Sequence, residues 1–354
     1  MGRSGPAPGP ATTPDVGRLA AEYVVPLRWP VGTDPAELTG YLRALAQDVD
    51  VTVVDGSEPE VWDRHHQLWA GTVRHVRPEP WPGRNGKVAG VVTGVRRARH
   101  ERVVIADDDV RWRRAELERV LPLLDGADLV RPQNVFGPAP WHARWDTARS
   151  LLNRALGADY PGTYALRRST FCAMGGYDGD VLFENLELAR SVRAVGGTEV
   201  SAPSLFVRRL PPETGHFWSQ RVRQAYDDFA QPARLAVEAA VLPLTAVLLG
   251  CLRARSPQAR RRARRGLLAE VVLPVLLAEV GRRRHGGRRV FPAGTALWAP
   301  LWVAERAVCV WVAVGWRLAG GVPYAGRRLR TAAHSTRTLR RRVAGRAGLD
   351  CPAA

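Results

Sequence analysis

From Glu22 onward, short apolar runs alternate with longer stretches whose apolar positions recur every three or four residues. Residues 23–27 read as a strand, 35–47 as a helix, and 49–54 as a second strand running into Asp55-Gly56-Ser57. A short run at 72–76 leads into the turn-rich stretch 78–86. Across 87–99, Val88, Val91, Val92 and Val95 share one face, which predicts a helix. Arg102–Ala106 reads as a buried strand and 114–124 as a helix. Leu129–Phe136, Thr163–Arg167 and 200–207 read as further strands, and 187–195 as a helix closed by Gly196-Gly197. Strands alternating with helices predict an α/β fold with a largely parallel sheet. In such sheets ligands gather beyond the carboxyl ends of the strands. Asp55 and the run Asp107-Asp108-Asp109 both fall at strand ends.

After Pro232 the texture changes. Residues 235–252 are apolar with one Glu, 253–265 are dominated by arginine, 266–280 are apolar but short, and 282–289 are basic again. Residues 296–316 are apolar and Trp-rich, interrupted by Glu305-Arg306. A helix needs about 20 apolar residues to cross a bilayer, so 266–280 is expected to lie in the interface or to re-enter. Trp298 and Trp302 at one end of the last segment, and Trp311 and Trp316 at the other, are spaced like an aromatic belt.

Charge sharpens this picture. The formal net charge of +18 suggests nucleic acid until it is mapped. Residues 1–230 carry 29 basic and 29 acidic side chains; residues 231–354 carry 23 arginines against 5 acids. The whole excess flanks the apolar segments, as basic loops do at an anionic membrane surface, or as a solvated arginine-rich tail would. No nucleic-acid partner is expected. The first 20 residues are Pro/Gly-rich without an apolar core and read as a disordered leader. The four cysteines form no CxxC pair, which points to reduced thiols and a cytosolic site.

Four clusters carry candidate chemistry. Three carboxylates at the end of a buried strand (Asp107, Asp108, Asp109) repel one another, and oxygen ligands of this kind select Mg or Mn; a polar turn or a helix N-cap is the bland alternative. Lys87 is the only lysine among 52 basic residues. A compact ammonium opening a helix after Arg84-Asn85-Gly86 suits a phosphate. Glu184 and Glu187 sit one helical turn apart, where a carboxylate could take a proton from a hydroxyl nucleophile or merely favour a helix N-terminus. In Gln220-Arg221-Val222-Arg223-Gln224, Arg223 could clamp a diphosphate.

Taken in order, these motifs resemble the family 2 glycosyltransferases, especially a membrane-bound branch of ceramide-glucosyltransferase-like enzymes. The resemblance runs from about Tyr23 to Gln231 and implies a GT-A fold and inverting sugar transfer from a nucleotide-sugar donor. It implies that Asp55 contacts the nucleotide base, that Lys87 lies beside the donor, that Asp109 binds metal and that Asp107 holds ribose or metal. Gln220 and Arg223 match the QxxRW motif. Asn185 stands where the family places its aspartate base, and an amide does not ionise near neutrality. Glu184 is therefore the expected base, with Glu187 in reserve. Gln224 in place of the motif's Trp removes a stacking surface, which favours a single transfer to a lipid or small glycan over processive synthesis. The expected organisation is a catalytic domain over 21–232, a membrane-associated helical region over 233–320 and an arginine-rich tail over 321–354. The expected location is the cytoplasmic membrane, with the catalytic domain facing the cytosol. A catalytically lapsed binding or scaffold domain is the alternative.

Overall fold

The computed structural model of the protein describes residues 17–157, 159–324, 327–343 and 348–351. Most of the expected leader lies outside them. In chain order the first half runs β1 (Glu22–Leu27), α1 (Ala36–Leu45), β2 (Asp50–Asp55), α2 (Pro59–Trp69), β3 (Arg74–Val76), α3 (Gly86–Arg96), β4 (Arg102–Ala106), β5 (Val110–Arg111), α4 (Arg114–Val120), β6 (Leu129–Phe136) and α5 (Trp141–Leu156). There follow β7 (Thr163–Arg167), α6 (Arg168–Ala173), α7 (Glu184–Ala194), β8 (Glu199–Arg209), α8 (Thr214–Ser219) and α9 (Arg221–Asp227).

Eight strands form one sheet in the order β3-β2-β1-β4-β7-β6-β8-β5. β7 runs antiparallel to both of its neighbours and β5 antiparallel to β8; the other pairings are parallel. The sheet is therefore mixed but mostly parallel. Its inner strands are apolar on both faces because helices cover both. Tyr23, Val25, Val51 and Val53 pack against Leu38, Leu42 and Trp69 on one side. Val24, Val54 and Ile105 pack against Val88, Val91, Val92 and Val95 on the other.

Several helices escaped the sequence reading, α2 and α5 the longest of those in the sheet domain. α2 has a weak apolar stripe, three buried residues among charged ones. α5 is a 16-residue helix whose apolar face packs against helices of the C-terminal third.

The C-terminal third continues with α10 (Pro232–Cys251), α11 (Pro257–Arg283), α12 (Ala299–Leu318), a hairpin of β9 (Val322–Tyr324) and β10 (Arg327–Leu329), and α13 (Thr336–Val343). The arginine run 260–265 and the short apolar segment 266–280 are one continuous helix rather than separate pieces. α10 and the segment Thr295–Leu318 are long and apolar enough to cross a membrane. In α10 only Glu238 is fully buried, whereas one face of α12 packs on the sheet domain. The Glu305-Arg306 interruption marks that face: Trp145 Nε1 donates to Glu305 at 3.0 Å, and Arg306 pairs with Asp228 at 3.5 Å.

The described part of the basic tail returns to the sheet domain. The backbone N–H groups of Leu182 and Phe183 donate to the carbonyls of Thr331 and Ala332 at 3.1 and 2.8 Å. Cys172 and Cys351 form a disulfide. That corrects the expectation of four reduced thiols and removes the cysteine argument for a cytosolic site, since disulfides persist in oxidising compartments. Sequence spacing could not reveal this pair, because 179 residues separate its members.

α3 sits unusually close to the sheet. Gly90 and Gly94, one turn apart, face β1; a Cβ on Gly94 would lie 2.2 Å from Val24 Cγ1 and one on Gly90 2.9 Å from Pro26 Cβ. This approach sets the height at which the first turn of α3 presents Lys87. Gly94→Ala is expected to lower stability by about 1–3 kcal/mol. The reading is the urea midpoint at unchanged slope; an unmoved midpoint would mean that α3 tolerates lifting from β1.

Candidate active site

A cleft of about 780 Å³ opens at the carboxyl edge of the parallel strands. Asp107, Asp108 and Asp109 enter it from the turn after β4, Lys87 from the start of α3, Glu184 and Asn185 from the start of α7, Gln220 from the junction of α8 and α9, and Arg223 and Gln224 from α9.

Lys87 is the centre. Its Nζ lies 2.5 Å from Asp107 Oδ1 and 2.7 Å from Glu184 Oε1. Burial alone would lower the ammonium's pKa; the two carboxylates outweigh that and hold it well above its ordinary value. Asn85 caps α3 by accepting the N–H of Lys87 at 3.1 Å, while its amide donates to Val181 O at 3.3 Å. The N–H groups of Arg84 and Asn85 both donate to Gly179 O. The turn carrying Lys87 and the segment carrying Glu184 are thus fastened together before the side chains meet.

The three aspartates divide. Arg209, the last residue of β8, reaches Asp109 Oδ2 with Nε at 2.8 Å and Asp107 Oδ2 with Nη2 at 3.6 Å. Asp108, at the rim of the same cleft, accepts from Trp29 Nε1. Gly162 makes room for Asp107: a Cβ there would lie 2.3 Å from Oδ2. Asp109 Oδ1 is buried with no hydrogen-bond partner. Burial raises the pKa of Asp109, with Arg209 opposing and the neighbouring aspartates adding to the rise. A buried, open carboxylate oxygen beside a second carboxylate fits a hard divalent cation whose other ligands come from phosphate and water.

Two expected site residues lie elsewhere. Asp55 does not line the cleft. It is fully buried, accepting from Ser57 N at 2.8 Å through one oxygen and meeting His65 Nδ1 at 2.7 Å and His75 Nε2 at 3.2 Å through the other. Both oxygens are committed to the protein, which corrects the expectation that the carboxylate reads the base. Glu187 is also buried away from the cleft, accepting from His334 N at 2.7 Å and meeting its Nδ1 at 2.8 Å. As the reserve base it is out of reach; it anchors the C-terminal segment instead. α7 turns Glu184 and Glu187 in different directions because the returning tail supplies a second set of partners.

Several cleft residues had no signal in the sequence. Arg209 lies at a strand end with no motif around it. Asp227, one turn after Arg223, has a buried unpartnered oxygen, and burial drives its pKa well up, with Arg223 opposing. Tyr324 arrives from the C-terminal hairpin.

A cleft at a sheet's carboxyl edge, with a fixed ammonium and an open carboxylate oxygen, is one in which an α/β protein can take a phosphorylated ligand. The chain belongs to the glycosyltransferase-like family 2, whose family model matches residues 43–226. The mixed, mostly parallel sheet flanked by helices is the GT-A arrangement expected of that family. Solved structures similar to this chain include a mannosyltransferase, PcManGT, from Pyrobaculum calidifontis in complex with GDP-Man and Mn2+, at 16% identity and a TM-score of 0.46, covering 83% of this chain and 87% of that one. A mycobacterial protein is similar at 17% identity and 0.39, covering 57% and 70%. GalNAc-T7 with UDP, GalNAc and Mn2+ is similar at 15% and 0.39, covering 57% and 45%. No curated protein matches the sequence.

The Asp55 network gives a pH test. Burial would raise the Asp55 pKa, but hydrogen bonds from His75, Ser57 and His65 outweigh it and lower it to about 2. A carboxyl depressed by folding stabilises the protein above its unfolded pKa of about 3.9 and loses that contribution as pH falls through the folded value. Asp55→Asn should therefore cost about 1–3 kcal/mol at neutral pH, with the gap from wild type closing between pH 4 and pH 2. Denaturant midpoints across that range decide it; a gap independent of pH would show that Asp55 is not held as the charged form.

Proposed function

We propose that this protein is an inverting, metal-dependent glycosyltransferase that moves one sugar from a nucleotide-diphosphate donor to a lipid or small-glycan acceptor at a membrane. The observation that carries the reading is the Lys87 ammonium held between Asp107 and Glu184, with the open oxygen of Asp109 in the same cleft.

Asp109, with Asp107, would hold Mg or Mn. When bound, the metal neutralises the departing diphosphate. Lys87 and Arg223 place positive charge where the leaving group develops negative charge, and they do so without reorganising. Glu184, at the start of α7, faces the same space and takes the proton of the acceptor hydroxyl as its oxygen bonds to the anomeric carbon and the bond to the diphosphate breaks. Asn185 beside it cannot take that proton. Gln220 lines the donor side. Asp55 supports the base pocket from behind, through Ser57 and the histidines.

Membrane attachment is supported by where the exposed apolar side chains fall. Among the described residues, 18 of 24 exposed large hydrophobics lie between Val237 and Leu318. Patches of this extent mark interaction surfaces. The arginine-rich stretches beside them support a cytosol-facing site at the cytoplasmic membrane. The missing Trp at Gln224 supports a single transfer, and the narrower likeness to the membrane-bound, ceramide-glucosyltransferase-like branch rests on this same apolar region.

A panel of nucleotide sugars, with membrane lipid extract as acceptor and with Mn or Mg and then chelator, tests the proposal. One donor should be consumed only with metal, and Asp109→Ala should abolish it. Glu184→Gln should lower transfer by about 10²- to 10⁴-fold, while Glu187→Gln retains transfer and instead loosens the C-terminal segment. Nucleotide binding without turnover of any donor would favour the lapsed-domain alternative, with Asn185→Asp as the variant to restore activity.

A further inference from the structure

Seven arginines line the cleft, and six of them meet a carboxylate within 4 Å. Of these seven, Arg223 alone has neither an ion pair nor a side-chain hydrogen bond among the described residues. Its direct contact is an aromatic face, its guanidinium carbon lying 5.1 Å from the centroid of the Tyr324 ring, while the buried Asp227 one turn on feels its charge without pairing with it. Tyr324 is half-buried and lines the cleft. Its hydroxyl donates to Asn85 Oδ1 at 3.4 Å, the same oxygen that caps α3 at Lys87.

Tyr324 lies far beyond residue 226, where the family match ends. It is delivered by the hairpin of β9 and β10, whose arms are tied at both ends. Gly321 accepts a Cβ nowhere, since one would lie 2.3 Å from Leu329 O, and Arg84 Nη1 donates to Arg328 O at 3.4 Å. Beyond the hairpin, Tyr226 of α9 donates to Arg330 O at 2.9 Å. The hairpin is therefore fastened to the helix that carries Arg223 and to the turn that carries Lys87.

We infer that Tyr324 is a positioning residue for the diphosphate site: its ring holds the otherwise unpaired Arg223 guanidinium at the cleft wall, and its hydroxyl ties that wall to the Asn85 cap beside Lys87. The anion recognised is the diphosphate of the nucleotide donor, so the inference rests on the function proposed above. A planar guanidinium can stack on a ring and still direct its N–H edge at phosphate oxygens. A carboxylate partner would instead compete with the phosphate for those N–H groups. An aromatic support thus orients the charge without neutralising it.

The test uses the full-length protein and calorimetric binding of UDP and GDP in the presence of Mn. Tyr324→Leu should weaken the preferred diphosphate by about 3- to 30-fold, the range of a cation–π contact. Arg223→Met should weaken it at least as much, and the double variant no further than Arg223→Met alone. Tyr324→Phe keeps the ring and should retain most of the affinity; pentafluorophenylalanine at the same position should lose it, because fluorination reverses the ring's electrostatic face while keeping its shape. Wild-type affinity in the Leu variant, or fully additive losses in the double variant, overturns the inference. Equal binding by the Phe and pentafluorophenylalanine proteins does so as well, and that pair decides if the Leu variant does not fold. Wild-type protein that binds neither diphosphate overturns the functional reading and this inference with it; normal wild-type binding with unaffected Tyr324 variants overturns the inference alone.

Discussion

The ion pairs of Lys87 are the constraint on which the site depends. One ammonium, presented by the first turn of α3, meets a carboxylate from the end of β4 and another from the start of α7. Three elements that are far apart in sequence are thereby held around one point. A lysine does this where an arginine would not: the compact charge accepts two carboxylates from different directions, while a planar fork prefers one carboxylate side-on. That gives a physical reason for a single lysine in a chain that otherwise uses arginine throughout. The neighbouring acids are treated differently. Asp109 keeps an open oxygen, and Asp107 shares its two between Lys87 and Arg209. The cleft therefore has most of its positive charges fixed by ion pairs, and carboxylate oxygens of Asp109 and Asp227 without partners, an arrangement that a metal–diphosphate ligand would complete.

How much of this was legible in the sequence depended on whether the signal was local. β1, β2 and β4, the helix face of α3, the acidic strand end and Lys87 all announce themselves within a dozen residues, and the structure places them as the periodicity suggested. The placement of Asp55 was not legible, because its partners His65 and His75 come from a helix with a weak stripe and from a three-residue strand. The same holds for Glu184 and Glu187. Both have helix-start spacing, and what separates them is His334, a residue 147 positions away that claims one and not the other. Arg209 and Tyr324 carry no motif at all; only the register of β8 beside β6 and the return of the tail bring them to the cleft.

The C-terminal third resisted reading for a different reason. Hydropathy sees apolar content but not which face is used. α10 and α12 pass the same length and composition test, yet α10 fully buries only Glu238 while α12 carries Arg306 fully buried against Asp228. The Glu305-Arg306 pair looks like an interruption in an apolar segment and is in fact the packing face: Glu305 meets Trp145 and Arg221, and Arg306 meets Asp228. A buried ion pair of this kind adds little net stability but strongly disfavours alternative registers, since sliding the helix would strand both charges.

The path of the chain couples the two halves. It leaves the cleft through α9, forms the exposed apolar helices, and comes back as the hairpin that supports Arg223 and the segment that receives the backbone of Leu182 and Phe183. The helix bearing Glu184 starts immediately after that junction. Arg223 and Glu184 are thus each backed by residues that follow α12, so the position of the apolar helices is transmitted to both sides of the cleft by short, hydrogen-bonded connections. A domain cut after residue 226 would keep Lys87, the three aspartates and Arg209, yet it would lose the supports of Arg223, the one arginine of the cleft that forms no ion pair among the described residues, and of the expected base. The apolar region is, on this geometry, a structural part of the site as well as the surface on which the protein would rest.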